Sequence, residues 1–363
     1  MTPLIGHQAR WSALARAFGK GVVPQTLLIT GPPNVGKTTF VTRYAQLLLC
    51  ADLQTDANGL PAPCGVCKPC HQVEIGTFPD YRFFRPVISA TEKTTAPESL
   101  DSSVILGETA RTFNHEAELK PVVGARKVLV MHQFERANET AQNAMLKTLE
   151  EPPASTSLVL TSENPRRLRE TILSRCWHLQ LVPAPLSEIN EWLSAQFPNA
   201  SAEHIDIALR ACLGRPGAAW RELERLQNAT DENGSRFQIA SEMLSRLDAA
   251  QPVGALGFTA EAIKWADIWW DEDAGEEADA KKLASKGKRA AAARFLDELM
   301  VAARARWMND PASYAQGAAR LDQMRAARGY ILQNANLQLV LDVMFGRLIA
   351  TQNRESGRGT RVR

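Results

Sequence analysis

"GPPNVGKT", residues 31–38, decides how the first half of the chain is read. It fits the pattern G-x-x-x-x-G-K-[ST] at every fixed position. Gly31 and Gly36 permit a tight turn that aims backbone N–H groups at phosphate oxygens. Lys37 adds positive charge at the β- and γ-phosphates, and the Thr38 hydroxyl is suited to ligate Mg²⁺. "QTLLIT" (25–30) before the loop reads as a strand and "GKTTFVTRYAQLLLC" (36–50) after it as a helix. Strand, loop and helix thus stand in the order that phosphate binding needs. Gly31, Pro32, Asn34, Val35, Gly36, Lys37, Thr38 and Thr39 are the candidate nucleotide-binding residues.

Working outward, further strands are expected at 80–86, 126–131, 156–162 and 177–182, with helices over 138–152 and before the last strand. Strands alternating with helices imply a parallel α/β sheet covered on both faces. After "PAPLS" (183–187) the β signal fades and amphipathic helical stretches run to the end of the chain, as in a bundle. The expected plan is an α/β nucleotide-binding-type domain over 1–182, a helical domain over 183–240 and a larger helical domain over 241–363. No internal repeat is evident.

With 42 basic and 40 acidic residues, net charge gives no argument for nucleic acid. Two local runs stand out, the acidic-then-basic stretch 271–289 and the basic tail 354–363, and both read as solvated segments. The longest apolar runs are far too short for a bilayer, and the N-terminus shows no secretory pattern, so a cytoplasmic location is expected.

Four of the six cysteines fall in one cluster, Cys50-x13-Cys64-x2-Cys67-x2-Cys70. Thiolates two residues apart on a tight turn grip one ion, and a fourth from the preceding helix end completes a tetrahedron. C-x2-C-x2-C also has an iron–sulfur counterpart, but a redox cluster is out of place beside a P-loop. His71 adjoins the last cysteine and is an alternative ligand. Four thiolates leave no open position, so the expected ion is a structural zinc.

"VLVMHQFERA" (128–137) is informative for what it lacks. Hydrolysis needs a carboxylate near Mg²⁺ and one that orients the attacking water. The strand end carries His132 and Gln133, and Glu135 lies two residues beyond. Loss of hydrolysis is the reading preferred over His132 as a general base. In "TILSRC" (171–176), Arg175 either pairs with a local carboxylate or acts as an arginine finger on a neighbouring subunit's γ-phosphate. Composition leaves both open. Trp265, Trp269 and Trp270 read as core, and Cys176, Cys212 and His178 as buried fillers.

Taken in order, "GPPNVGKT", the cysteine cluster, "NAMLKTLEEPP" (143–153) and "TILSRC" resemble the bacterial clamp loader of DNA polymerase III, in the AAA+ superfamily. "IGHQ" (5–8) is similar to that family's N-terminal nucleotide-site segment and "IGTFPDY" (75–81) to its return from the zinc module, placed at about 50–78. The resemblance is firm to about residue 240 and weaker beyond. It implies an AAA+ P-loop sheet with an inserted zinc module, a small helical lid and a helical collar. His132 and Gln133 stand where the motor subunit of that family has Asp and Glu, so the chain is similar to the subunit that does not hydrolyse. The sensor-2 arginine position is Gly217, with Arg215 two residues early. The resemblance makes Arg175 the finger acting in trans. It implies motor subunits and the delta subunit as partners in a hetero-pentamer, with the sliding clamp and primed DNA reached through the assembly. The complete P-loop adds an expectation of ATP or ADP bound without turnover, with Mg²⁺ only alongside nucleotide. The rivals are a motor subunit with an unorthodox strand end and a zinc-dependent nucleic-acid binder with a vestigial P-loop. "CGVCKPCHQVE" offers the latter only Lys68 as a strong cation.

Overall fold

The computed structural model describes residues 2–86, 104–228, 235–251, 254–274, 284–307 and 314–356. Residues 275–283 of the charged stretch 271–289 and 357–363 of the basic tail lie outside the described residues. Two compact units result. The first is built from Met1–Ala96, Ser102–Pro198 and Gly214–Ala219, and the second mainly from Asn199–Leu213 and Trp220–Arg363. The stretch 183–240 contributes helices to both.

The first unit holds one parallel sheet of five strands in the order β4-β5-β6-β1-β7. These are β1 (Thr26–Thr30), β4 (Tyr81–Phe84), β5 (Lys127–Met131), β6 (Thr156–Ser162) and β7 (Trp177–Gln180). β1, β5 and β6 are buried along their whole length, as expected of central parallel strands covered on both faces. Their side chains alternate between two cores. Leu27, Ile29, Val128, Val130 and Val159 pack with α1 (Gln8–Gly19) and α2 (Lys37–Leu49) through Trp11, Leu14, Phe40 and Tyr44. Leu28, Leu129, Met131, Leu158 and Leu160 pack on the other face against α4 (Gly107–Glu118) and α5 (Glu139–Glu150) through Phe113, Met145 and Leu149. Each such buried Leu, Val or Phe contributes roughly 1.5–3 kcal/mol of transfer free energy. Asn138 fixes the start of α5, its side chain accepting from the Ala141 N–H at 2.8 Å.

Between α2 and β4 lie a two-strand ribbon, β2 (Gln54–Thr55) with β3 (Pro61–Ala62), and the short helix α3 (Lys68–Glu74). The return to the sheet is held by Asp80, fully buried, whose carboxylate accepts from the N–H groups of Val122, Val123 and Gly124 at 2.6–2.8 Å. Burial opposes ionisation there, but those three N–H donors outweigh it and the Asp80 pKa is lowered. β7 is one of the two edge strands, β4 being the other. His178 is accordingly exposed and not a buried filler, its Nε2 2.7 Å from the Thr30 hydroxyl. α6 (Glu170–Leu173) precedes β7, and α7 (Leu186–Gln196) closes the unit's helices.

The second unit is helical: α8 (Ala202–Cys212), most of α9 (Pro216–Asn228), α10 (Arg236–Asp248), α11 (Ala255–Ala274), α12 (Ala284–Trp307), α13 (Tyr314–Leu332) and α14 (Leu337–Ser356). Its core includes Trp269, Phe295, Leu299, Met324, Phe345 and Leu348. Trp269 is buried and packs on Phe295 and Trp265, as the tryptophan spacing predicts. α13 crosses α12 closely because residue 317 is glycine. A Cβ there would lie 2.9 Å from that of Trp307. Among the described residues no helix is long and apolar enough to cross a membrane.

Candidate functional site: a P-loop, an altered strand end and a four-thiolate module

The P-loop leaves β1 and enters α2, as its pattern requires. Gly31 passes so close to β7's continuation that a Cβ would sit 2.6 Å from the Leu181 carbonyl oxygen. Gly36 takes φ 104° at the N-cap of α2, and Asn34 takes φ 61°. Pro32 and Pro33 carry no N–H, so backbone donors toward a phosphate begin at Asn34. His7, buried behind the loop, makes a 2.7 Å bond from Nε2 to the Val35 carbonyl and packs edge-on against Phe40. Burial lowers its pKa, only partly offset by the Val35 bond, so the imidazole is neutral and Nε2 is the donor. Thr38 and Thr39 line a cavity of about 120 Å³ with Thr2, Arg43 and Glu74. At Gly217, where the resemblance puts sensor 2, the N–H donates to the Asn34 carbonyl at 3.0 Å, and a Cβ would be 3.1 Å from that oxygen.

Lys37 is buried. Its Nζ donates to the carbonyls of Gly31 and Pro32, each at 2.9 Å, and lies 3.4 Å from Glu163 Oε1. Burial lowers its pKa, with Glu163 and Glu135 acting in the opposite direction.

The two residues that follow β5, His132 and Gln133, are not carboxylates. His132 Nδ1 is 2.9 Å from the Thr161 hydroxyl on β6, and the His132 backbone N–H donates to the Phe84 carbonyl. Gln133 is left-handed, φ 51°, and its N–H donates to the same Thr161 oxygen at 3.1 Å. The sequence places Glu135 beyond the strand. The left-handed Gln133 and the 3₁₀ turn Phe134–Arg136 fold it back, so that Glu135 Oε1 accepts from the Glu163 N–H at 3.2 Å. That return depends on the backbone of one residue, and no local pattern announces it.

Arg175 sits just after α6. Its Nη1 donates to Thr171 O at 2.8 Å, and its Nη2 lies 3.3 Å from Glu150 Oε2, in the "LKTLEEPP" motif. The local-carboxylate pairing is therefore present, on a side chain still 31% exposed.

Cys50, Cys64, Cys67 and Cys70 converge, their sulfurs all within 4.8 Å of one another. Cys50 Sγ is 3.6 Å from Cys64 Sγ and 3.8 Å from Cys67 Sγ. Zinc bonded to four sulfurs at about 2.3 Å requires sulfur separations of about 3.8 Å, so the set fits a tetrahedral ion. Burial opposes ionisation of Cys67, yet the Cys70 and Ala51 N–H groups and neighbouring thiols bring its pKa down to about 6. Burial raises those of Cys50 and Cys70. His71 stands outside the converging set. Its neighbour Cys70 supplies the fourth sulfur.

A P-loop on the second-from-edge strand of a five-stranded parallel sheet, with a four-cysteine module inserted after the P-loop helix, defines a P-loop α/β protein whose cysteine module could hold a metal ion. Comparison with known proteins narrows the class. The family model described as "DNA polymerase III, delta subunit" matches residues 6–185. The chain is 32% identical over 251 residues to the DNA polymerase III subunit delta' of Pseudomonas aeruginosa, covering 68% of this chain and 69% of that one. It is 32% identical over 206 residues to the Escherichia coli subunit delta', covering 57% and 56% of the two chains. The subunit tau of Salmonella typhimurium is 27% identical over 263 residues, 71% of this chain and 38% of that one. The chain belongs to the DNA polymerase III delta' family of clamp-loader subunits.

Proposed function

We propose that this chain is the stator of the DNA polymerase III clamp loader, a subunit that does not hydrolyse ATP and that offers Arg175 to the nucleotide of a neighbouring motor subunit. The observation that carries the reading is the end of β5. His132 and Gln133 stand there and neither is a carboxylate, while the His132 ring is held on the Thr161 hydroxyl, so neither a magnesium carboxylate nor a water-orienting one projects from that strand end. Gly217 at the sensor-2 position supports the same reading, since its backbone bonds Asn34 where a charged side chain would reach phosphate. In this reading the P-loop holds ATP or ADP without turnover, with Mg²⁺ only alongside nucleotide. The four thiolates hold a structural zinc that ties the end of α2 to α3 and takes no part in chemistry. The stretch 183–240 serves as lid and 241–363 as collar. The partners are the motor subunits of the tau and gamma type and the delta subunit, and through them the sliding clamp and primed DNA.

The test is Arg175→Ala in a reconstituted loader. ATPase stimulated by DNA and clamp should fall, and unchanged stimulation removes the finger assignment. Hydrolysis by the isolated chain that disappears in Lys37→Ala would instead make it a motor subunit.

A further inference from the structure

Lys37, the residue that meets phosphate in a P-loop, has every proton engaged within the chain. Its ammonium carries three donors. Gly31 O and Pro32 O take two at 2.9 Å each, and the third points to Glu163 Oε1 at 3.4 Å. The lysine side chain is 4% exposed and that of Glu163 27%, so this ion pair is poorly screened by solvent. A second carboxylate stands behind the first. Glu135 Oε1 holds the Glu163 N–H at 3.2 Å, and its Oε2 is buried without a hydrogen-bond partner. An anion entering the loop therefore meets a lysine already neutralised, with further negative charge beside it.

We propose that Glu163 is a built-in competitor for phosphate, which weakens nucleotide binding at this P-loop and penalises the triphosphate more than the diphosphate. The inference rests on the reading that the loop takes nucleotide. Phosphate binds Lys37 only by displacing the Glu163 carboxylate, which then remains close to the incoming charge. Each added phosphate charge increases that repulsion, so ADP is favoured over ATP. The chain would then occupy the loop with the lower-energy nucleotide, or leave it to Glu163, while a neighbour turns over ATP.

The experiment is calorimetric titration of the full chain with Mg·ATP and Mg·ADP, comparing wild type, Glu163→Gln, Glu163→Thr and Lys37→Ala. Neutralising the competitor should tighten both nucleotides by roughly tenfold or more, the larger gain falling on ATP, because a close charge is removed from a poorly solvated site. Lys37→Ala should abolish binding. Equal affinities in wild type and both Glu163 variants overturn the competitor role and leave the nucleotide reading standing. Binding by the Glu163 variants alone upholds the competitor role and removes nucleotide carriage by the wild type. Binding by none of the proteins overturns both. The threonine variant guards against a folding defect peculiar to glutamine.

Discussion

The Arg175 guanidinium lies 3.3 Å from the Glu150 carboxylate, so the two motifs "TILSRC" and "LKTLEEPP" are joined by an ion pair. Glu150 is 58% exposed, and a half-exposed pair of this kind is worth about 0–1 kcal/mol. Pairing therefore orients Arg175 without binding it firmly, and a stronger anion outside the chain competes well for it. Arg175→Ala should change the unfolding midpoint of the isolated chain only slightly. In the assembled loader it should lower stimulated ATPase by about 10³, the usual cost of a missing arginine finger. Arg175→Lys should recover little, since an ammonium does not reproduce the two-pronged guanidinium contact. A large stability loss with intact ATPase would assign Arg175 a structural role instead.

His132 provides a separate check on the proposal that this chain does not hydrolyse ATP. Its ring nitrogen is engaged with Thr161 and its ring packs 5.5 Å from that of Phe83, which keeps it against the sheet. His132→Ala should cost about 1 kcal/mol from the lost hydrogen bond and leave the ATPase of the assembled loader as it was. A fall in that ATPase comparable to the Arg175→Ala effect would restore His132 as a catalytic base.

The P-loop and the cysteine cluster were legible because each is written in one short stretch whose spacing is itself the geometry. Eight consecutive residues form the loop, and Cys64, Cys67 and Cys70 are one turn apart. The central strands were legible because "LLI" and "VLVM" are continuous apolar runs. What stayed hidden depends on distant partners. Lys37 and Glu163 are 126 positions apart, and Glu135 reaches the site only because Gln133 is left-handed. α4 is faint in the sequence since three of its four buried residues are Gly107, Ala110 and Ala117, with Phe113 alone supplying bulk. His178 looked like a core residue until the strand order placed β7 at an edge.

The thiolate cluster predicts a stability dependent on metal. The purified chain should contain about one zinc, and iron would replace the structural-zinc reading by a cluster. Removing the ion leaves four close sulfurs without a centre, beside the packed residues Val73 and Phe78. Chelation should therefore lower the melting temperature and expose residues 50–76 to protease before the β-sheet, and adding zinc back should reverse both. Cys70→Ser should weaken retention of the ion, because an unionised hydroxyl is a poor substitute for a thiolate.

In the helical unit, Asp248 is shared by two arginines, at 2.7 Å from Arg320 and 3.0 Å from Arg306. Arg320 is buried and also lies over the Trp307 ring. Asp248→Ala leaves a buried guanidinium short of its carboxylate, which costs about 3 kcal/mol or more when the pair is desolvated. Exposed ion pairs such as Arg325 with Asp322 should contribute far less. Denaturant unfolding of Asp248→Ala beside Asp322→Ala measures the contrast, and similar midpoints for the two would remove the buried network from the stability of this unit.

The lowered pKa of Lys37 makes nucleotide binding sensitive to alkaline pH. Burial favours the neutral amine, so the ammonium is lost at a lower pH than the ordinary value of 10.5. Affinity for Mg·ADP, which depends on that positive charge, should decline as pH rises through the lowered value. Stability responds with the opposite sign at this group. Between the folded and unfolded pKa values the unfolded chain binds the extra proton, so deprotonation of Lys37 adds to stability as pH rises. Loss of binding should consequently precede any unfolding. Titrations of Mg·ADP at increasing pH, each paired with a melting curve, separate the two effects. Affinity that holds flat up to the ordinary lysine range would show that Lys37 does not meet the phosphates.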